Sequence, residues 1–240
     1  TQTQLGMTIN ARNLELMIRR LYACPYIEAK KLAQMLYDRV YEIAPSLFPY
    51  VQSSTIELEN KERLFHSTNK KDQNIQSIYL IEFIKNSDYK LAQVFGNGMD
   101  FLNKSNVRDI ILNSLEGMTQ FDSAPREFEM IDFQFLLRMS SSCFAQLKRH
   151  RMMTILPKPY QIESNVIIPK SIKETKNEEK FREIISKTND FYKKVKTPYC
   201  LTNSHTRFVQ IKINLREMYH FCRMRMDNHQ ADTFSIDVSK

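Results

Sequence analysis

Ile131-Asp132-Phe133-Gln134-Phe135-Leu136-Leu137, then Ser140-Ser141-Ser142, then Gln146-Leu147-Lys148-Arg149-His150-Arg151 is the stretch on which the fold turns. Ile131, Phe133, Phe135 and Leu137 fall on one side of an extended chain and Asp132 and Gln134 on the other. The run from Phe128 to Leu137 therefore predicts a strand with one face in a core. The serines offer an N-cap for a short helix, and that helix ends in the basic run. Cations at a helix C-terminus are favoured by the macrodipole even with no ligand. Taken with Ile213-Asn214-Leu215-Arg216 near the C-terminus, however, the run also presents guanidinium groups suited to a phosphate or pyrophosphate.

Upstream of this stretch, Ser77 to Ile84 is β-branched and aromatic and reads as a strand, followed by helical patterns near Tyr89 to Phe101 and Val107 to Met118. Glu127 and Glu129, two apart in the extended run, would share a face as exposed strand-edge carboxylates. Downstream, a charged stretch from Gln161 to Lys196 holds one helix, Asn177 to Tyr192. A last helix is expected over Thr206 to Met226, with Phe208, Ile211, Leu215, Met218 and Cys222 as its core stripe and Arg216, His220 and Arg223 on a separate face. At the other end, Leu5 to Tyr22 and Tyr26 to Ala44 carry apolar residues at helical spacing around Pro25, which predicts a helical hairpin. Glu57 to Asn74 is polar and aperiodic, the natural linker. The expected organisation is a hairpin over 1–60, a linker over 61–75 and an α+β domain over 76–240 with a central twisted sheet flanked by helices.

The 240 residues are 42% hydrophobic, enough for a sizeable core. The formal charge is +8, but Gln146 to Met226 alone holds 18 Lys/Arg against 7 Asp/Glu, so the basic character is concentrated there. An anionic partner follows: a nucleotide, a nucleic acid or an acidic surface. The four cysteines, Cys24, Cys143, Cys200 and Cys222, have neither disulfide-frame nor metal-site spacing, which is the usage of a reduced, cytoplasmic protein. No apolar run reaches the roughly 18 residues a membrane helix needs.

Ile9-Asn10-Ala11-Arg12 and Ile213-Asn214-Leu215-Arg216 repeat one pattern, each with a further Arg, Arg19 or Arg223, seven positions after the motif Arg. The shared register suggests parts of two tandem copies. Phe133-Gln-Phe135, Gln146-Leu-Lys-Arg149-His150-Arg151, Asn214-Leu-Arg216, Arg225 and His229, in that order, resemble the flavin-dependent thymidylate synthases. The resemblance covers 76–240, and the hairpin looks like the C-terminal part of a preceding copy. It implies FAD bound between subunits or tandem copies of a homo-oligomer, with Arg149, His150 and Arg151 on the cofactor's phosphates and adenosine. Asn214, Arg216, His220 and His229, with Asn10 and Arg12 from the preceding copy, would stand on the cofactor's other side. Gln146, Arg225 and Thr154 would hold dUMP, methylated with methylenetetrahydrofolate as carbon donor and NADPH as reductant.

The sequence departs from that family on the substrate side. After Arg-His-Arg the family continues with Ser, Asn-Glu, Ser and Arg-Tyr. Here the segment is Met152-Met153-Thr154-Ile155-Leu156-Pro157-Lys158-Pro159-Tyr160-Gln161, in which Thr154 replaces the first hydroxyl. Leu156, Pro157, Pro159 and Gln161 replace the amide, carboxylate, second hydroxyl and guanidinium, and the prolines withdraw backbone donors from what would be a binding loop. The family's histidines are also absent from Ala124 to Met130, and its Arg from Lys196 to Thr202. Flavin-side residues are kept where substrate-side residues are lost, which implies a half that is partly or wholly non-catalytic. The alternatives are a non-catalytic flavin- or nucleotide-binding subunit and, less favoured, a basic nucleic-acid-binding module.

Overall fold

The computed structural model describes residues 4–49, 51, 78–96, 106–119, 122–160, 162 and 166–225. The expected linker and His229 lie outside them. The chain divides into two compact units, Thr1–Lys71 and Asp72–Lys240.

The described part of the first unit holds the expected helical hairpin, α1 (Ala11–Ala23) and α2 (Ile27–Ile43). Its first helix starts later than the periodicity suggests because Asn10 ends the extended approach: its side chain accepts the Asn13 N–H at 2.9 Å, an N-cap. Ile18 and Ala33 are fully buried.

The second unit is α+β. Its sheet has the order β1 (Ile78–Phe83), β2 (Asp132–Ser140), β4 (Thr206–Asn214), β3 (Thr154–Tyr160), with every neighbouring pair antiparallel. Helices α3 (Ser87–Phe95), α4 (Val107–Ser114), α5 (Ser141–Leu147), α6 (Lys170–Glu174), α7 (Glu178–Val195) and α8 (Leu215–Arg225) complete it. The alternation on β2 is as the sequence reads. Leu137 opposes Val209, Phe135 opposes Ile211 and Phe133 opposes Ile213, and these residues share one core with Met139, Cys143, Leu147, Met218 and Phe221. A second core gathers Leu91, Ala124, Phe128 and Ile131. Phe133 packs on both, so the start of β2 joins them.

Three expectations are corrected. The long last helix is a strand followed directly by a shorter helix. Phe208, Ile211 and Leu215 satisfy a helical spacing, but Thr206, Val209, Ile211 and Ile213 are β-branched and all buried, the last three at alternate positions. The segment after Arg151 is a sheet-edge strand rather than a binding loop; Pro157 and Pro159 are tolerated there because an edge strand needs only one side of its ladder. Glu127 and Glu129 lie in a 3-10 turn, Arg126–Met130, entered from Pro125 at φ −52°, so the strand begins only at Asp132.

Buried Ser140 connects β2 to α5. Its hydroxyl accepts the Cys143 N–H at 3.2 Å, while the Ser141 and Ser142 N–H groups donate to the His205 and Asn203 carbonyls at 3.0 and 3.2 Å. The free donors at the start of α5 are thereby satisfied, and the helix is fastened to the approach to β4. Ser140→Ala should cost about 1 kcal/mol in urea denaturation. Exposed Ser142→Ala, whose backbone bond survives, should change it by less than about 0.5 kcal/mol.

Candidate functional site

Everything at the site depends on how β4 becomes α8. Asn214 is the last strand residue, and its Oδ1 accepts the Glu217 N–H at 2.8 Å, so strand passes to helix with no loop between. The Leu215 N–H donates to the Ile131 carbonyl at 2.8 Å. From this anchored start α8 presents two polar sides.

One side grips the segment before β2. Arg216 donates from Nε to the Ala124 carbonyl at 2.7 Å and from Nη1 to the Glu129 carboxylate at 2.6 Å. Two turns on, Arg223 donates to the Asp122 carbonyl at 2.7 Å. The Arg216 hydrogen bond, with Arg126 beside it, holds the Glu129 carboxyl below the usual range. The side-chain and backbone bonds from Thr119, with Arg223 nearby, do the same for Asp122.

The other side clasps the basic run. Arg225 donates from Nε to His150 Nε2 at 3.0 Å and from Nη2 to the Gln146 carbonyl at 3.2 Å. His150 Nδ1 lies 3.7 Å from the Glu217 carboxylate, both side chains about 10% exposed, and the imidazole meets the Phe221 ring edge-on at 4.8 Å. Accepting from Arg225 places the imidazole proton on Nδ1, towards Glu217. Burial, then the charges of Arg225 and His220, push the His150 pKa down to about 4. Glu217 pulls the other way, but burial raises its own pKa and weakens that pull. His150 is thus a neutral ring inside the joint between α5 and α8.

Between the two sides opens a cleft of about 180 Å³, lined among others by Met152, Asn214, Arg216, His220, Arg223 and Tyr219. Arg216, His220 and Arg223 do share one helix face, as their spacing implies, and Met152 from the turn after the basic run joins the lining. Asp122, Glu129 and Glu217 line the same cleft, so its cations are largely matched by carboxylates. The volume is below the roughly 300–1,000 Å³ of a small-molecule pocket, so by itself the cleft can receive only an edge or a branch of a dinucleotide. Arg149 and Arg151 are exposed and have no ion-pair partner among the described residues, which leaves their guanidinium forks free for phosphate oxygens.

The other expected residues fall elsewhere. Thr154 is exposed at the start of β3, opposite Lys212 on the sheet face turned away from the core, and does not line the cleft. Gln146 enters the joint through its backbone carbonyl. Asn10 and Arg12 belong to the hairpin unit. Glu217, Glu129 and Asp122 were missed as site residues. For Glu217 a signal was present: Asn214-Leu215-Arg216-Glu217 has the cap-plus-acid spacing of a helix start.

The model of the thymidylate synthase complementing protein family matches residues 66–233. The chain belongs to that family. Its fold is similar to that of thymidylate synthase X from Helicobacter pylori, solved with FAD and dUMP, at a TM-score of 0.52 and 12% identity over 69% of this chain and 90% of that one. It is also 21% identical over 257 residues to the UPF0159 protein Ta1429 of Thermoplasma acidophilum. That alignment takes in 94% of this chain but only 50% of Ta1429, so the chain spans about half the length of the curated relative it matches. No helix among the described residues is long and apolar enough to cross a membrane.

His150 binds its proton more weakly folded than unfolded, where its pKa is near 6.5. Between about pH 6.5 and 4 the unfolded chain therefore holds more protons and stability falls as pH falls, by up to about 1.4 kcal/mol per unit. Thermal melts across this window should show a steeper acid loss for the native chain than for His150→Gln. Equal slopes would mean that His150 is not held neutral.

Proposed function

We propose that this chain is a flavin-binding thymidylate synthase homologue that supplies the FAD-side wall of a site for a uridine nucleotide, most simply dUMP. A second subunit or tandem copy completes the site. What carries the reading is the meeting, at one cleft of a family member, of the turn after the basic run with Asn214 at the end of β4 and Arg216 and His220 from α8. Exposed Arg149 and Arg151 would take the cofactor's phosphates. Asn214 spends its Oδ1 on the helix cap, which leaves its amide N–H donors for a ligand edge. Arg216 and Arg223, already bound to carbonyls and to Glu129, would act by holding the cleft's shape more than by neutralising a phosphate.

FAD, when bound, would supply the hydride chemistry by which methylenetetrahydrofolate and NADPH serve methyl transfer to dUMP in this reading. The substrate side favours a chain that does not complete the reaction alone: Leu156, Pro157 and Pro159 stand in an edge strand, and Thr154 lies away from the cleft. A helix-end basic cluster serving nucleic acid is disfavoured, because the histidine at its centre is buried in a protein joint.

The purified chain should carry, or take up, flavin with its yellow absorbance band. Arg149→Ala combined with Arg151→Ala should remove the band with little change in melting temperature, since neither side chain is buried. Flavin retained by that double variant would put the cofactor elsewhere. Tritium release from labelled dUMP is expected to be absent with this chain alone; release would show that the substrate side is intact after all.

A further inference from the structure

The repeated motif marks an incomplete surface on the hairpin. Asn10 and Asn214 stand 204 residues apart in sequence and do the same work, each accepting the N–H three residues on, at 2.9 and 2.8 Å. At the same offset Arg12 corresponds to Arg216 and Arg19 to Arg223. In α8 both arginines are engaged, holding the Ala124 and Asp122 carbonyls and the Glu129 carboxylate. In α1 they are not. Among the described residues, exposed Arg12 has no ion-pair partner and the buried Arg19 Nε has no hydrogen-bond acceptor. A buried N–H left without a partner opposes folding, so natural chains seldom retain one unless an acceptor arrives from elsewhere. On the neighbouring helix Ile27 and Met35 remain 73% and 67% exposed and line a groove with Leu32, an apolar area that water covers at a cost.

We propose that α1 is the last helix of another domain of the same family and docks on it as α8 docks within its own unit. Arg12 would take a carbonyl and a carboxylate, and Arg19 a second carbonyl, of that domain's counterpart to residues 122–129. The chain's match to only half of Ta1429 leaves room for such a domain. A second copy of this chain is the poorer occupant, because its 122–129 segment is already held by its own Arg216 and Arg223. The inference rests on family membership and not on flavin binding, so either can fail without the other.

Two measurements on the full chain test it. First, Arg223→Met should lower the melting temperature measurably, whereas Arg19→Met, which removes an unsatisfied buried donor, should leave it unchanged or raise it. An equal loss from both would mean that Arg19 already has a partner within the chain and would overturn the proposal. Second, residues 214–225 are replaced by residues 10–21, with a control replacement by residues 28–39 from α2. The α1 graft should melt cooperatively and well above the control, and Arg→Met at its transplanted Arg19 position should now be destabilising. An α1 graft no more stable than the control would overturn it. So would sedimentation showing self-association of the native chain that Arg12→Ala and Arg19→Met abolish, because a second copy would then be the occupant.

Discussion

The junction at Asn214 is the constraint from which the second unit's architecture follows. A strand that runs straight into a helix leaves no slack, so the direction of α8 is set by the register of β4 against β2 and by the one side-chain cap that starts it. Leu215 then enters one core while Met218 and Phe221 enter the other. A single helix thus spans both clusters, and its polar residues necessarily emerge on the two sides where the segment before β2 and the end of α5 approach. Displacing the cap would tilt α8 and loosen both grips together.

The electrostatics follow from that placement. On the exposed side, arginines meet carboxylates and carbonyls at the surface, where solvent screens each pair and the gain lies in fixing geometry more than in net stability. On the buried side the same logic cannot hold, because desolvation penalises every charge. The balance there is a neutral imidazole, a guanidinium that finds two acceptors, and a carboxyl whose proton affinity is raised. A basic run that looks uniformly cationic in one dimension is therefore split in three. Its histidine becomes structural, while the arginines on either side of it stay in water and keep their capacity for an anion.

Much of the fold was legible because its signals are local. Alternation on β2, the serine cap on α5, the hairpin around Pro25 and the α7 helix each depend on residues within a few positions of one another. Thr206 to Asn214 was misread because spacings of three and four and an alternation of two can be satisfied by overlapping sets of apolar residues. Only the strand partners on either side decide between them. Pro157 and Pro159 were recognised as removing donors, but that an edge strand can absorb such a loss depends on where the strand lies in the sheet, which nothing in its own composition states.

By itself the sequence determined the basic run, the family resemblance and the repeated Asn-x-Arg pattern, since each is read from short local spacings. Only the tertiary structure decided which of their residues are free. Arg225 reaches His150 across 75 residues and Arg216 reaches Glu129 across 87, and no local pattern encodes such pairings. The physical reason is that a charged side chain's availability is settled by what the chain folds against it: burial, an acceptor, or water.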